Sequence, residues 1–180
     1  MKKTLLLLAL LFGSLSLMAQ DIEAEATVEE EITLPKTTYY LIRHAEKDRS
    51  NVSDKNPHLT QQGLLRAAKW SYVLGAVKFD AVYSTDYNRT RETALPTAEK
   101  NGIAELNIYN PSNMDMKGFV EGTSGKTVLV VGHSNTTPKL VNTLIGSDKY
   151  EQIDDSNNAN LYIVTVLPSG EKTDVLLVID

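Results

Sequence analysis

The sequence predicts a three-layer α/β domain, in which helices flank a mainly parallel β-sheet. Short apolar segments rich in β-forming residues alternate with segments of helical periodicity from about residue 36 to residue 180. One of these segments, Thr127 to Val131, is an unbroken apolar run, which is typical of a strand buried on both faces of a parallel sheet. The 180 residues are enough for one ordinary domain but not for two large ones.

The first strand and the first helix follow from local composition. Thr37 to Ile42 is apolar and rich in β-forming residues, so it is predicted to be a buried strand. Thr60 is a suitable N-cap for the next helix. Leu65, Ala68 and Tyr72 recur at spacings of three and four, which predicts that they form the core-facing stripe of that helix.

The rest of the domain continues the alternation of strands and helices. A strand over Phe79 to Tyr83 precedes a helix that begins near Arg89 and that Pro96 kinks or ends. A weak strand over Leu106 to Tyr109 and a short helix over about 113 to 121 come next, before the strand over Thr127 to Val131. The following helix has Pro138 in its first turn, and its apolar stripe consists of Leu140, Val141, Leu144 and Ile145. Two final strands are predicted over Leu161 to Leu167 and Asp174 to Ile179.

The N-terminal segment has the layout of a secretory signal peptide. Met1-Lys2-Lys3 is a basic start, Thr4 to Met18 is a leucine-rich apolar run, and Ala19-Gln20 is a suitable cleavage junction. We therefore expect a signal peptide over residues 1–19, an acidic flexible linker over residues 20–35 and a folded domain over residues 36–180, exported to the periplasm or the extracellular space. The alternative is an uncleaved N-terminal anchor, although the run is short for a membrane span.

Composition excludes several classes of function. The net charge of −5 does not favour binding to nucleic acid or to an anionic membrane, and no stable membrane insertion is expected after cleavage. Cysteine is absent, so a disulfide framework, a thiol nucleophile and a cysteine-based zinc site are all excluded.

Histidine and arginine side chains follow three of the predicted strands. Arg43-His44 comes directly after the first strand, Arg89 comes shortly after the second, and His133 follows the run that ends at Val131. Ligands of parallel sheets bind beyond the carboxyl ends of the strands, so these four side chains are expected to converge on one crevice. Such a cationic cluster would repel itself unless it bound an anion, and a phosphate dianion suits the geometry of guanidinium groups.

Four motifs contain these residues, in the order Leu41-Ile42-Arg43-His44-Ala45-Glu46, Leu59-Thr60-Gln61-Gln62-Gly63, Tyr83-Ser84-Thr85 through Arg89-Thr90-Arg91-Glu92-Thr93-Ala94, and Val130-Val131-Gly132-His133-Ser134-Asn135-Thr136. Together they resemble the histidine phosphatase superfamily, also called phosphoglycerate-mutase-like, over about Tyr39 to Leu167. Within it, the chain is most similar to the compact phosphohistidine phosphatases.

The resemblance implies a phosphoglycerate-mutase-like fold and a phosphatase that needs neither a metal nor a cofactor. It implies that His44 accepts the phosphoryl group and that Arg43, Arg89 and His133 hold the phosphate. Ser134 and Asn135 are further candidates for substrate binding. The expected substrate is a phosphorylated small molecule or a phosphoprotein, either a phosphomonoester or a phosphoramidate.

The chain departs from the superfamily pattern at two points. The first motif usually reads Arg-His-Gly, whereas this chain has Ala45 in the third position. Many relatives also supply a carboxylate that protonates the leaving group, and the stretch from Glu99 to Lys126 has no clear equivalent. The candidates for this acid are Glu46, Asp115 and Glu121.

Three alternative functions remain at this point. A catalytically silent module would bind a phosphorylated ligand with the same arginines and would not need His44. A phosphomutase resembles longer chains with an insertion that encloses the substrate. A metal hydrolase would use His44, His58 and His133 with Asp48 or Asp54, but no ligand spacing supports it.

Overall fold

The computed structural model describes residues 35–180, so the expected signal peptide and nearly all of the expected linker lie outside the described residues. The described chain contains six strands and four helices in the order β1 (Thr37–Arg43), α1 (Gln61–Val73), β2 (Ala81–Ser84), α2 (Asn88–Lys100), β3 (Asn107–Ile108), α3 (Met116–Gly122), β4 (Thr127–Gly132), α4 (Thr136–Ile145), β5 (Asn160–Val166) and β6 (Lys172–Val178). None of these helices is long and apolar enough to cross a membrane.

The six strands form one mixed sheet in the order β3-β2-β4-β1-β5-β6. The pairs β1–β4, β4–β2 and β2–β3 are parallel, whereas β5 runs antiparallel to β1 and β6 runs antiparallel to β5. The predicted α/β fold with a mainly parallel sheet is confirmed. Because the four parallel strands point the same way, their carboxyl ends lie along one edge of the sheet.

Side chains alternate between the two faces of β1 and β4, and each face has its own apolar core. On one face Tyr39, Leu41, Val128 and Val130 pack with residues of α3 and α4, including Phe119, Leu140 and Val141. On the other face Ile42, Leu129 and Val131 pack with Trp70 of α1 and with Ala94 and Ala98 of α2. This division produces the predicted three layers and confirms the predicted stripe of α4.

The predicted core-facing stripe of α1 is wrong. Leu65 and Tyr72 have 64% and 82% of their surfaces exposed. The buried face carries Gly63, Ala67 and Trp70 instead, a set that also recurs at spacings of four and three. The face that contains the indole of Trp70 packs against the core, because it buries the most apolar area.

Gly63 also explains why this face of α1 turns inward. A Cβ atom at position 63 would lie 2.2 Å from the carbonyl oxygen of Glu46. The predicted N-cap Thr60 is confirmed: its side chain accepts a hydrogen bond from the Gly63 N–H, and its own N–H donates to the Glu46 carbonyl. These contacts hold the segment after β1 against the start of α1.

Pro96 lies inside α2 and does not end it, since the helix continues to Lys100. A proline in a helix removes one backbone hydrogen bond. Here Ala94 and Ala98 on either side of it are fully buried in the core, and the Pro96 carbonyl accepts a hydrogen bond of 2.9 Å from Ser71 of α1. Tertiary packing of this kind offsets the lost bond and keeps the two helices together.

Candidate active site

The structure brings His44, His133, Arg43 and Arg89 together at the carboxyl edge of the sheet. Arg43 is the last residue of β1, His133 directly follows β4, and Arg89 lies in the first turn of α2, just after β2. The two imidazole rings are 5.5 Å apart between centroids, and Arg89 Nη2 lies 3.5 Å from His133 Nδ1. The His44 N–H donates to the Gly132 carbonyl at 2.9 Å, which ties the ends of β1 and β4 together.

The tautomer of His44 suits a nucleophile. Its Nδ1–H donates to the Ala45 carbonyl at 2.7 Å, so Nε2 keeps its lone pair. Burial lowers the pKa of His44 to about 3, and the positive charges of Arg43 and Arg89 also lower it. The imidazole is therefore neutral at ordinary pH, as attack on phosphorus requires.

The backbone around His44 is fixed by polar side chains from distant parts of the chain. Asn158 donates to the His44 carbonyl at 2.7 Å, and the Ala45 N–H donates to Thr93 of α2 at 2.9 Å. Thr93 in turn donates to the Arg89 carbonyl at 2.6 Å. One threonine thus joins the backbone of the His44 segment to the backbone of Arg89.

Ala45, which stands where the superfamily's first motif usually has glycine, does not obstruct the site. The alanine is fully buried and packs with Leu59 and Ala67 in a small apolar cluster. Among residues 35–180 every non-glycine residue has negative φ, so the backbone at position 45 is one that alanine adopts readily. The methyl group fills core space instead of the site.

A chain of hydrogen bonds fixes the tautomer of His133. Thr90 donates its hydroxyl proton to the backbone carbonyls of Thr85 and Tyr87, at 3.0 and 2.9 Å. Thr90 can therefore accept from Thr85 at 2.9 Å, and Thr85 can accept from His133 Nε2–H at 2.9 Å. This direction leaves the lone pair of His133 on Nδ1, toward Arg89.

His133 is also neutral in the free protein. Burial, together with the positive charges of Arg89, Arg43 and Lys47, lowers its pKa to about 4. A bound anion would act in the opposite direction and favour the imidazolium form. Thr85 and Thr90 belong to the third sequence motif, but nothing in their spacing identifies them as partners of His133.

The guanidinium of Arg43 is buried and held by the segment before β5. Its Nη1 donates to the carbonyls of Asp154, Asp155 and Asn157 at 2.8, 3.1 and 3.0 Å. Its Nη2 donates to the Asp155 carboxylate at 2.6 Å, and the other oxygen of that carboxylate lies 2.8 Å from Arg49 Nη1. These two arginines lower the pKa of Asp155 to about 2, so Asp155 orients Arg43 as an anion. Sequence reasoning missed Asp155.

Three guanidinium nitrogens at the site are unpaired within the described residues. Arg43 Nε, Arg89 Nε and Arg89 Nη1 are buried and have no hydrogen-bond partner within residues 35–180. Buried donors are nearly always paired in folded proteins, and each unpaired donor is costly. Charged N–H groups in this position are suited to the oxygens of a phosphate.

Lys47 is a further cation that sequence reasoning missed. It lines a pocket of about 380 Å³, the His44 pocket, whose lining holds His44, three cations and three carboxylates: Lys47, Arg49, Arg66, Glu46, Asp155 and Asp180. Partial burial lowers the pKa of Lys47, and the positive charges of Arg89 and Arg49 add to this effect. A lysine in a loop is usually a solvated charge, and only its place three residues after His44 marked it in the sequence.

A larger cleft of about 700 Å³ adjoins the site at Arg89 and His133. Its lining includes Arg89 and His133 together with Tyr87, Ile108, Tyr109 and Pro111, and we call it the aromatic cleft. Of the two residues proposed after His133, Asn135 lines this cleft. Ser134 is not among its lining residues, and its carbonyl accepts a hydrogen bond from the Ile153 N–H at 2.9 Å.

The three candidate acids occupy different places. Glu46 lines the His44 pocket, where Oε1 accepts from Arg66 at 2.7 Å. Asp115 caps α3 by accepting from the Gly118 N–H at 3.0 Å, and Glu121 is exposed beside Lys117. Neither Asp115 nor Glu121 lines the aromatic cleft.

Asp86 is the carboxylate that does line the aromatic cleft, and sequence reasoning missed it. It accepts two hydrogen bonds from Arg91, at 3.0 and 2.6 Å, and is largely exposed.

His58 does not join the other two histidines. It is exposed, pairs with Glu92 and lies 3.1 Å from Asn88 of α2. Within residues 35–180, no three histidine, aspartate or glutamate side chains are grouped as metal ligands would be.

Part of the sequence matches a model of a known protein family. The family model "Histidine phosphatase superfamily (branch 1)" matches residues 39–110, which include the first three sequence motifs. The predicted resemblance to the histidine phosphatase superfamily is confirmed. The His133 motif lies beyond the matched residues, and the structure places it beside His44. A comparison with curated proteins finds no match.

Several solved structures share the fold. The protein histidine phosphatase SixA complexed with tungstate is 17% identical, with a TM-score of 0.62 over 78% of this chain and 96% of that one. A mycobacterial glucosyl-3-phosphoglycerate phosphatase is 14% identical, with a TM-score of 0.58 over 80% and 98%. Phosphoglycerate mutase from Plasmodium falciparum is 17% identical, with a TM-score of 0.53 over 78% and 89%.

The protonation states of the three histidines can be measured directly. Because the pKa values of His44 and His133 are lowered to about 3 and 4 and that of His58 is raised by Glu92, only one imidazole should titrate between about pH 5 and pH 8. NMR of the imidazole nitrogens, with a His58→Ala variant to assign the titrating signal, checks this. A second imidazole titrating in that window contradicts the site described here.

Proposed function

We propose that this protein is a phosphohydrolase that transfers a phosphoryl group to His44 and then to water. The observation that carries the proposal is the set of three buried, unpartnered guanidinium N–H groups on Arg43 and Arg89 beside the free Nε2 of a neutral His44. The guanidinium groups supply fixed positive charge for a phosphate, and the imidazole supplies a nucleophile. A module that only binds phosphate would need the first and not the second.

In the first step, Nε2 of His44 attacks phosphorus from one side while the bond to the leaving group breaks on the other. The electron pair of that bond leaves with the departing oxygen or nitrogen, which is protonated by solvent. Arg43, Arg89 and protonated His133 stabilise the charge on the three phosphoryl oxygens. The hydrogen bond from His44 Nδ1 to the Ala45 carbonyl favours the positive charge that the ring gains.

In the second step, water attacks phosphorus and the P–N bond to His44 breaks. The electron pair returns to Nε2, inorganic phosphate leaves, and the proton of water passes to solvent. The protein carries all the positive charge that this chemistry needs on Arg43, Arg89 and Lys47. We therefore propose that catalysis needs neither a metal nor a cofactor.

The substrates are proposed to be phosphomonoesters or phosphoramidates with good leaving groups. Glu46 and Asp86, two carboxylates beside the site, both pair with arginines. A positioned acid contributes typically about 10²- to 10⁴-fold to the rate. Without one, a phenol, a carboxylate or an imidazole leaves far more readily than an alkyl alkoxide.

Replacement of the nucleophile should abolish turnover without unfolding the protein. His44→Ala removes the group that forms the covalent intermediate, so hydrolysis of an aryl phosphate should fall to background, while His58→Ala, the matched control, retains it. Arg43→Ala and Arg89→Ala should each reduce the rate of hydrolysis by about 10²-fold or more. Acid-labile, base-stable phosphate should be trapped on the wild-type protein and not on His44→Ala.

Circular dichroism of each variant controls for folding, and a chelator controls for metal. Wild-type rates in His44→Ala would exclude the mechanism. Loss of activity with chelator, recovered with a divalent cation, would exclude metal independence.

The rate should depend steeply on the leaving group. Across a series of phosphate esters graded by the pKa of the alcohol, kcat/KM should fall strongly as that pKa rises, because no side chain donates a proton. A flat profile that becomes steep in Glu46→Gln or Asp86→Asn would identify one of these residues as an acid. Asp115→Asn, outside both pockets, serves as the control.

We also propose that the protein is exported, because residues 1–20 have a basic start, an apolar run and a small-residue junction. Cleavage after Ala19 should leave a mature chain that begins at Gln20. Mass spectrometry of protein purified from its native source checks the mass, and a chain that retains Met1 in the cytoplasm would contradict export.

A further inference from the structure

We propose that the aromatic cleft binds an uncharged aromatic leaving group, so that the preferred substrates are aryl phosphates. This inference rests on the proposed function, because it concerns the part of the substrate that departs from the same site. It is carried by the position of the cleft, the chemistry of its walls and the arrangement of Tyr87.

The position of the cleft follows from the geometry of displacement at phosphorus. The leaving group departs from the side opposite the nucleophile, roughly in line with it. Arg89 and His133, two of the groups proposed to hold the phosphoryl group, line the aromatic cleft, whereas His44 lines the His44 pocket and not the cleft. The cleft therefore adjoins the phosphate-holding groups on a side that His44 does not line, which is where a group opposite the nucleophile would lie.

The walls of the cleft suit a planar apolar group. Tyr87 and Ile108 have 39% and 44% of their surfaces exposed, and Tyr109 and Pro111 complete the apolar lining. Asn110, Ser112 and Asn135 add neutral polar groups at the same cleft. The volume of about 700 Å³ is in the range of small-molecule sites and far exceeds what an acetyl or methyl group would fill.

The charges of the cleft argue against a second anion on the leaving group. Of the described residues that line it, Arg89 alone carries a full positive charge, and the phosphoryl group takes that charge. The other charged side chain is the Asp86 carboxylate, which pairs with Arg91 and offers no positive charge to an anion. Lys47 and Arg49, the second of which pairs with Asp155, line the pocket on the His44 side instead.

Tyr87 is the residue that determines this specificity. Its ring is held before any substrate binds, because the Arg89 guanidinium lies over one face at 4.3 Å and the His133 ring is perpendicular to it with centroids 5.2 Å apart. A ring already held in place loses little entropy when it stacks on a ligand. The same ring touches the two groups that hold the phosphate, so it places the aryl group next to the phosphoryl group.

Phosphonates test the binding preference without any chemistry. Benzylphosphonate should bind to the wild-type protein roughly tenfold more tightly than methylphosphonate in calorimetric titrations, because only the first fills the cleft. Tyr87→Ala should bring the ratio of the two dissociation constants close to one, and Tyr87→Phe should restore it. Tyr72→Ala, which changes an exposed tyrosine of α1, is the matched control and should keep the wild-type ratio.

A second variant protects the test against an indirect effect of Tyr87 on Arg89. Ile108→Ala, on β3 rather than α2, should also reduce the ratio, by about threefold, because it removes part of the apolar wall. Equal binding of the two phosphonates to the wild-type protein would overturn the proposal. So would a wild-type ratio that persists in both Tyr87→Ala and Ile108→Ala.

Turnover separates this inference from the proposed function. An aryl phosphate and a fluoroalkyl phosphate whose alcohols have the same pKa should differ in kcat/KM by roughly tenfold in favour of the aryl ester. Hydrolysis of both at equal rates would overturn the inference and leave the phosphohydrolase intact. Tight aryl binding without hydrolysis of either would instead overturn the proposed function and support the inference.

The aryl group can belong to a small molecule or to a tyrosine side chain. Comparison of phenyl phosphate with a short phosphotyrosine peptide distinguishes the two sources, since both present the same ring to the cleft. A larger kcat/KM for the peptide indicates a protein substrate, and a larger value for phenyl phosphate indicates a small molecule. Rejection of both aryl compounds, with hydrolysis of acetyl phosphate, would contradict the inference.

Discussion

Arg43 and Gly132 lie opposite each other in the parallel ladder between β1 and β4, and the next residue along each strand is a histidine. The pairing of these two strands therefore places His44 beside His133. A slip of one residue in this register would turn the side chains of one strand to the other face of the sheet. The fully buried residues Leu41, Val128 and Val130 prevent such a slip, because it would move them out of their core. The same apolar packing that stabilises the sheet thus sets the distance between the two imidazoles.

The positive charges of Arg43 and Arg89 lie close together at one edge of the sheet. In the free protein these two arginines differ in how many hydrogen-bond partners they have. Arg43 is wrapped by three carbonyls and by Asp155, so most of its donors are satisfied. Arg89 has a tyrosine ring over its guanidinium and two nitrogens without partners in residues 35–180. Within the described chain, Arg43 is therefore held in place with one unpaired donor, Nε, whereas Arg89 has two, Nε and Nη1. Burial and this positive field together keep both histidines neutral.

Much of the fold and of the site could be predicted from the sequence, because both rest on local signals. Apolar runs identified the central strands, and the rule that ligands bind beyond strand ends selected Arg43, His44, Arg89 and His133. The stripe of α1 was wrong because two stripes had the same spacing, and only the packing of Trp70 distinguishes them. Asp155 lies 112 residues from Arg43 and Thr85 lies 48 from His133. Contacts across such distances depend on the whole fold and leave no mark in the nearby sequence.

The hydrogen bonds that run from His133 through Thr85 to Thr90 end on backbone carbonyls. A carbonyl oxygen accepts a hydrogen bond but has no proton to donate. This series of hydrogen bonds therefore cannot carry a proton from His133 to solvent. His133 cannot exchange protons with bulk solvent through its Nε2 side. Any proton that it gains or loses must cross Nδ1, on the side of Arg89 and the phosphate. The two threonines thus prevent proton exchange at Nε2, and the protonation state of His133 depends on the ligand at its Nδ1 side.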